Sequence, residues 1–272
     1  MRRIVPLLFL LLALLSTSSS AFTIGVLPVH SSRVLVERYE PLRVYLERIL
    51  RQPVRVESAP DFARFQARTM NNDFDLTITA AHFARIAQKD GGLLPLAQFQ
   101  PDHDSLLIYS SDRPLTGPGA IKGKQLAVID RLAITVMAAI QYLDEQGLES
   151  DRDYKVVEHR THASVAHSLV GGLSVAAVTT SQGLLQIPDD IRRKLVILKH
   201  IADIPAFVFL VKPGLPREQA ERIKTALLKF PGEAEGIDFL GRTGYTTIQP
   251  ATEATMKRAD PYIKETRKVL RP

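Results

Sequence analysis

The chain has no cysteine among its 272 residues. Disulfide bonds, thiolate metal ligands, thiol nucleophiles and a lipid-carrying cysteine behind a signal segment are excluded together. Catalytic signatures are missing too. There is no Gly-x-Ser-x-Gly elbow and no Gly-x-x-x-x-Gly-Lys-Ser/Thr loop. The seven histidines are scattered, and His162 and His167 stand five apart, which is not the spacing of a metal pair on one helix face. These absences argue against an enzyme, and no cofactor or metal is expected. Past the first residues, no apolar run approaches the length of a membrane span. No dense basic tract is present, so nucleic acid is not an expected partner.

What is present starts with Met1-Arg2-Arg3, an almost wholly apolar Ile4–Leu15, and small polar residues from Ser16 to Ala21. That order is the basic, apolar and cleavable sequence of a secretory signal peptide. The apolar run is too short for a stable anchor. The reading is residues 1–21 as a signal peptide, cut after Ala21, and a mature protein in the periplasm. The formal charge is +6; without Arg2 and Arg3 it is 33 basic against 29 acidic residues, or +4. A mild positive excess suits small anions.

The mature chain alternates strand and helix. "FTIGVLPV" reads as a strand, and Ser31 or Ser32 caps a helix with apolar residues at Leu35, Tyr39, Leu42, Leu46 and Ile49. Pro41 is expected to kink that helix or start a second one. "VRVESA", "FDLTIT", "LLPLAQF" and "DSLLIYSS" read as strands, with a helix capped by Asp61 and another in "AHFARIAQK" between them. "PLTGPGAIKGK" is a break, after which the pattern restarts with the strand Gln125–Ile129. The alternation argues for an α/β fold with mostly parallel sheets. Expected are a first lobe over 22–110, a second over 111–205, and a return crossing with C-terminal helices over 206–272 packing on the first lobe. "DSLLIYSSD" and "PAFVFLVKP" would be the two crossings. Two crossings make a hinge, and the crevice between lobes is the expected ligand site. The tail offers helices near Pro216–Lys229, Ala234–Leu240 and Ala254–Leu270, and no strong strand.

Taken together, "IGVLPVHSSRVLVERYEPLRVYLERIL", "DFARFQARTMNNDFDLTIT", "IKGKQLAVID" and "YKVVEHRTHASVAHSLVGG" resemble, in order, blocks of the phosphate/phosphite/phosphonate-binding (PhnD-type) periplasmic solute-binding proteins. The resemblance implies a two-lobe type II periplasmic-binding fold with a hinge of two crossing strands. It also implies a small anionic ligand, delivered by a monomer to an ABC transporter permease in the inner membrane. A sensing protein working with a membrane kinase is the alternative.

The family's Ser/Thr-rich turn is Ala133-Ile134-Thr135 here, so Thr135 alone keeps a hydroxyl. His162, after Thr161, matches the His at a second-lobe helix start. The family's Gly-x-x-Asp reads Gly172-Leu173-Ser174-Val175, and its Tyr after the capping Asp is Phe62. His82-Phe83 stands where an aromatic follows "DLTIT". These departures suggest a less highly charged or partly apolar ligand. Ser31 and Ser32 combine a helix cap with a ligand contact, or serve as the cap alone. Thr79 and Thr179 end equivalent strands, where open α/β sheets bind ligands. Arg131 pairs with an anion or lies in solvent.

Overall fold

The computed structural model describes residues 21–270. The expected signal segment, apart from Ala21, lies outside them.

Strand β1 (Phe22–Val26) is wholly buried and opens the first sheet. Helix α1 (Ser32–Leu50) follows and buries Leu35, Tyr39, Leu42, Tyr45 and Leu46, the stripe that steps of three and four place on one face. It runs unbroken through Pro41, where a kink or second start was expected. Proline lacks the N–H that would reach Glu37, and Glu37 is exposed, so that missing bond lies on the wet side. Strand β2 (Val54–Glu57) leads to α2 (Phe62–Met70), whose cap Asp61 accepts from Arg64 N at 2.7 Å. Then come β3 (Leu76–Thr79), α3 (Ala81–Gly91), β4 (Leu94–Gln100) and β5 (His103–Ser110).

The second half holds β6 (Gln125–Val128), α4 (Ile134–Glu145), β7 (Lys155–Glu158), α5 (His162–Val170) and β8 (Ala176–Thr179). Two short helices, α6 (Ser181–Leu184) and α7 (Asp189–Arg192), precede β9 (Leu195–Ile204) and β10 (Val208–Val211). The tail is α8 (Arg217–Lys229), α9 (Ala234–Thr243), β11 (Thr247–Pro250), α10 (Glu253–Lys257) and α11 (Asp260–Leu270).

Two sheets result, in the orders β11-β4-β10-β3-β1-β2 and β7-β6-β8-β5-β9. Both are mixed rather than mostly parallel. β1 is parallel to β2 and β3, and β6 to β7 and β8. β10 runs antiparallel to β3 and β4, and β5 antiparallel to β8 and β9. The reason is the crossing itself: β5 and β10 each enter their sheet from the other lobe, against the direction of the strands built by strand–helix–strand units.

Strand β5 is therefore part of the second sheet, and the crossings are the short segments 101–102 and 205–207. They lie side by side, since His103 pairs with Ile204. The tail holds a strand that the sequence did not announce. β11 is four residues long, ends on Pro250, and pairs with β4 at the sheet edge, where proline costs no ladder bond.

Helix α11 touches both halves. Asp260 pairs with Arg85 and Lys89 of α3, and Arg267 with Asp90. Thr266 Oγ1 lies 3.6 Å from the Met137 sulfur of α4.

Candidate functional site

The carboxyl ends of β1, β3, β6 and β8 all open toward the gap between the sheets. In open α/β sheets this is where ligands sit. A cavity of about 70 Å³ lies there. One water needs roughly 10–15 Å³ of such space, so this is room for a few waters or one small organic anion. His30 and Arg38 reach it from the end of β1 and the first turns of α1. Phe62 reaches it from α2, Thr135 from α4, His162 from α5, and His103 and Tyr245 from beside the crossings.

Arg38 is the only charged side chain on the cavity wall, and it has no carboxylate within ion-pair distance among the described residues. It is half-buried, and burial pulls its guanidinium below the usual range. It remains a cation, since arginine does not lose its proton in proteins.

The histidines around it are neutral. Burial lowers His103 and His162 to about 4. The half-buried His30 falls to about 3, by desolvation first and then by the nearby Arg38 and His162. His103 Nε2 lies 2.7 Å from the Tyr245 hydroxyl, whose own ionisation burial pushes far up. Tyr245 is stacked on Phe99 at 4.2 Å between centroids and 5° between planes, which fixes the hydroxyl. His162 Nδ1 lies 3.0 Å from Thr179 Oγ1. Gly183 leaves the space for that pair: a Cβ there would come within 2.6 Å of His162 Nδ1 and 2.7 Å of Thr179 Oγ1.

The residues singled out from sequence divide into three groups. Phe62, Thr135 and His162 line the cavity. Ser31, Ser32 and Thr161 line a wider groove outside it, together with Asp61, Asp130 and Glu158. Ser31 makes no side-chain capping bond, whereas the Thr161 hydroxyl is engaged in a capping box with Ser164. The remaining four do not reach the cavity. Thr79 is fully buried with an unpartnered hydroxyl, and Thr179 stands behind His162.

His82 is also fully buried, and its Nε2 lies 2.8 Å from the Leu132 carbonyl. A carbonyl only accepts, so Nε2 carries the proton and donates across the lobes. Arg131 turns away onto Asp151, with two bonds of 2.7 and 2.8 Å. A two-pronged pair with a carboxylate outcompetes an empty cleft for a guanidinium.

Sequence reasoning missed His30, Arg38, Tyr39, His103 and Tyr245. Only Arg38 left a signal: it falls three residues after Leu35 and four before Leu42, a cation on the inward face of α1.

The histidines make stability depend on pH. His82, like His103 and His162, is pulled by burial to about 4, from an ordinary 6.5. Between those values the unfolded chain binds protons that the folded chain refuses, so stability rises with pH and is lost as pH falls through the window. Asp130 pulls the other way, because burial raises its carboxyl to about 6. Three buried histidines and His30 outweigh one carboxyl. The melting temperature is expected to fall steadily from pH 7 to pH 4.5. A flat profile in calorimetry over that range would show that the folded chain accepts these protons.

Two α/β lobes, two adjacent crossings and a cavity between the lobes at the strand ends define a periplasmic binding protein of type II. Residues 24–256 match the family described as "ABC transporter, phosphonate, periplasmic substrate-binding protein", and the chain belongs to that family. It is a family of transporter binding proteins and not of enzymes. No curated protein matches this chain.

Among solved structures, it is similar to a binding protein component of an ABC phosphonate transporter from Pseudomonas aeruginosa. The TM-score is 0.80 and the identity 16%, covering 92% of this chain and 88% of that one. It is also similar to PhnD1 from Prochlorococcus marinus in complex with methylphosphonate, with TM-score 0.80, 12% identity, and coverage of 91% and 98%. A histidine kinase sensor domain is more distant, at TM-score 0.58 and 14% identity, covering 84% of this chain and 97% of that one. These likenesses speak to the fold. Among the described residues no helix is long and apolar enough to cross a membrane, and no cluster of three His, Asp or Glu stands ready for a metal.

Proposed function

We propose that the protein is the solute-binding component of an ABC transporter and holds a small oxyanion between its lobes. The observation that carries this is Arg38, a half-buried cation that has no carboxylate partner among the described residues and stands on the wall of the interlobe cavity. Sequestering a charge from water without compensation is costly, and an anionic ligand supplies the compensation. Thr135 and His162 offer hydrogen-bonding groups from the second lobe. The head group would thus be gripped from both sides, which favours closure. Export with cleavage after Ala21 belongs to the same proposal. Phe22 is the first buried residue of β1, so a cut before it leaves the sheet whole, and an intact mass starting at Phe22 is the mark of that cut.

A thermal-shift screen with phosphate, phosphite, alkylphosphonates, alkylsulfonates and short carboxylates tests the reading. A ligand that binds only the folded chain raises its melting point, by an amount that follows its concentration over Kd. At 100-fold excess over Kd the stabilisation is about 2.7 kcal/mol, or roughly 5–11 °C at about 2–4 °C per kcal/mol for a chain of this size. No shift with any oxyanion at millimolar concentration would defeat the proposal.

A further inference from the structure

We propose that the cavity selects an organic monoanion without an amine: one singly charged oxyanion head on Arg38, carrying a short apolar substituent. This rests on the interlobe cavity being the ligand site, and it adds the charge and the character of the ligand.

Charge matching comes first. Among the described residues the wall contributes one positive charge, from Arg38, and no aspartate, glutamate or lysine. The titratable neighbours facing Arg38 are His30, Tyr39, His103, His162 and Tyr245. The histidines are uncharged at neutral pH, and burial keeps both tyrosines protonated. Asp61, Asp130 and Glu158 lie in the outer groove, with Arg64, His159 and Arg160, and do not line the cavity. A single negative charge is therefore balanced on entry. A second is not, and an unbalanced buried charge is neutralised by taking up a proton. A doubly ionised phosphonate would bind only with one proton from solvent, carried either on its own oxygen or on a cavity histidine.

Substituent chemistry follows from the rest of the wall. Leu27, Val29, Ile129, Ala133, Ile134 and Phe207 make it largely apolar. An alkyl group gains from that contact, while an ammonium would meet no carboxylate. The groups nearest in chemistry are Gln182 and Thr180. Gln182 Oε1 is buried with no partner, a neutral acceptor that serves a protonated oxyanion's hydroxyl but does not neutralise a cation. Thr180 Oγ1 is occupied by the Gly183 N–H at 2.8 Å.

Titration calorimetry at pH 6.5, 7.5 and 9.5 tests this, in two buffers of different ionisation enthalpy at each pH, with ethanesulfonate, ethylphosphonate and 2-aminoethylphosphonate. Ethanesulfonate is singly charged throughout. It is expected to bind with one affinity at all three pH values and with no proton exchanged. Ethylphosphonate is expected to take up close to one proton where its second ionisation is complete, and to weaken about tenfold per pH unit there. The aminophosphonate is expected to bind at least about tenfold more weakly than ethylphosphonate at pH 7.5, the cost of one unpaired charged group being of that order or more.

Tight, pH-independent binding of ethylphosphonate without proton uptake would overturn the monoanion proposal. Equal or tighter binding of the aminophosphonate would overturn its amine-free part. In both cases a loss of affinity in Arg38→Gln would leave the cavity as the anion site. Failure of all three ligands to bind would overturn this proposal, whereas the cavity reading falls only if the wider oxyanion screen gives no shift either.

Discussion

Arg38→Gln is expected to lower affinity for the oxyanion by roughly a hundredfold to a thousandfold. Each hydrogen bond to a charged group contributes about 1.5–3 kcal/mol, and a guanidinium gives an oxyanion two in parallel. At about 1.4 kcal/mol per decade, losing both, with glutamine restoring part of one, falls in that range. The unliganded protein should behave in the opposite sense. Arg38 has no ion-pair partner among the described residues and is half-buried, so its removal relieves a desolvation cost. The melting point of the ligand-free variant is expected to hold or to rise slightly. Calorimetric titration and thermal unfolding of the same preparation read both effects. A variant that binds normally, or one that melts well below the parent, would remove Arg38 from the site or make it a structural residue.

The second large effect is on stability. Phe99→Ala is expected to cost about 3–5 kcal/mol, the usual loss for a buried aromatic cut to a methyl. Phe99 is fully buried, with Phe209, Phe239 and Tyr245 around it at 4.7, 5.7 and 4.2 Å between centroids. For a chain of this size that is a fall of roughly 6–20 °C in melting temperature. Affinity should fall as well, because Tyr245 loses the ring that sets its hydroxyl against His103. Phe99→Leu should recover most of the stability and less of the binding, since it fills volume without restoring the flat stacking surface. A loss under about 3 °C for the alanine variant, followed by circular dichroism, would show that the stack supports little.

Much of this fold was legible because its helices carry one clean apolar face. The stripe from Leu35 to Ile49 showed that α1 is a helix, though not that it runs unbroken through Pro41, and Asp61 marked the start of α2. What escaped was decided at long range. β11 is short and proline-ended, and becomes a strand only because β4 offers it an edge. The mixed sheets follow from two crossings whose direction no local pattern records. The site shows the same division. Thr135 and His162 stand at helix starts behind strands, where position alone directs them to the gap. Arg131 stands in an equivalent place, yet Asp151, twenty residues on, captures it. His30, His103 and Tyr245 are ordinary residues in sequence, gathered only when the crossings bring both sheets together. Arg38 was readable, as a cation on the buried face of an otherwise apolar stripe.

The position of β10 governs how the molecule comes into being. It lies between β3 and β4 in the middle of the first sheet, yet it follows the entire second lobe in the chain. Until it arrives, β3 and β4 each present an unpaired edge, and such edges invite pairing with other chains. The second sheet is built from one continuous stretch, β5 to β9, and has no such wait. A chain emerging from the N-terminus can thus complete its later lobe before its earlier one. The lobe that supplies Arg38 is the last to become whole, and the protein is exposed to aggregation for as long as that central strand is missing.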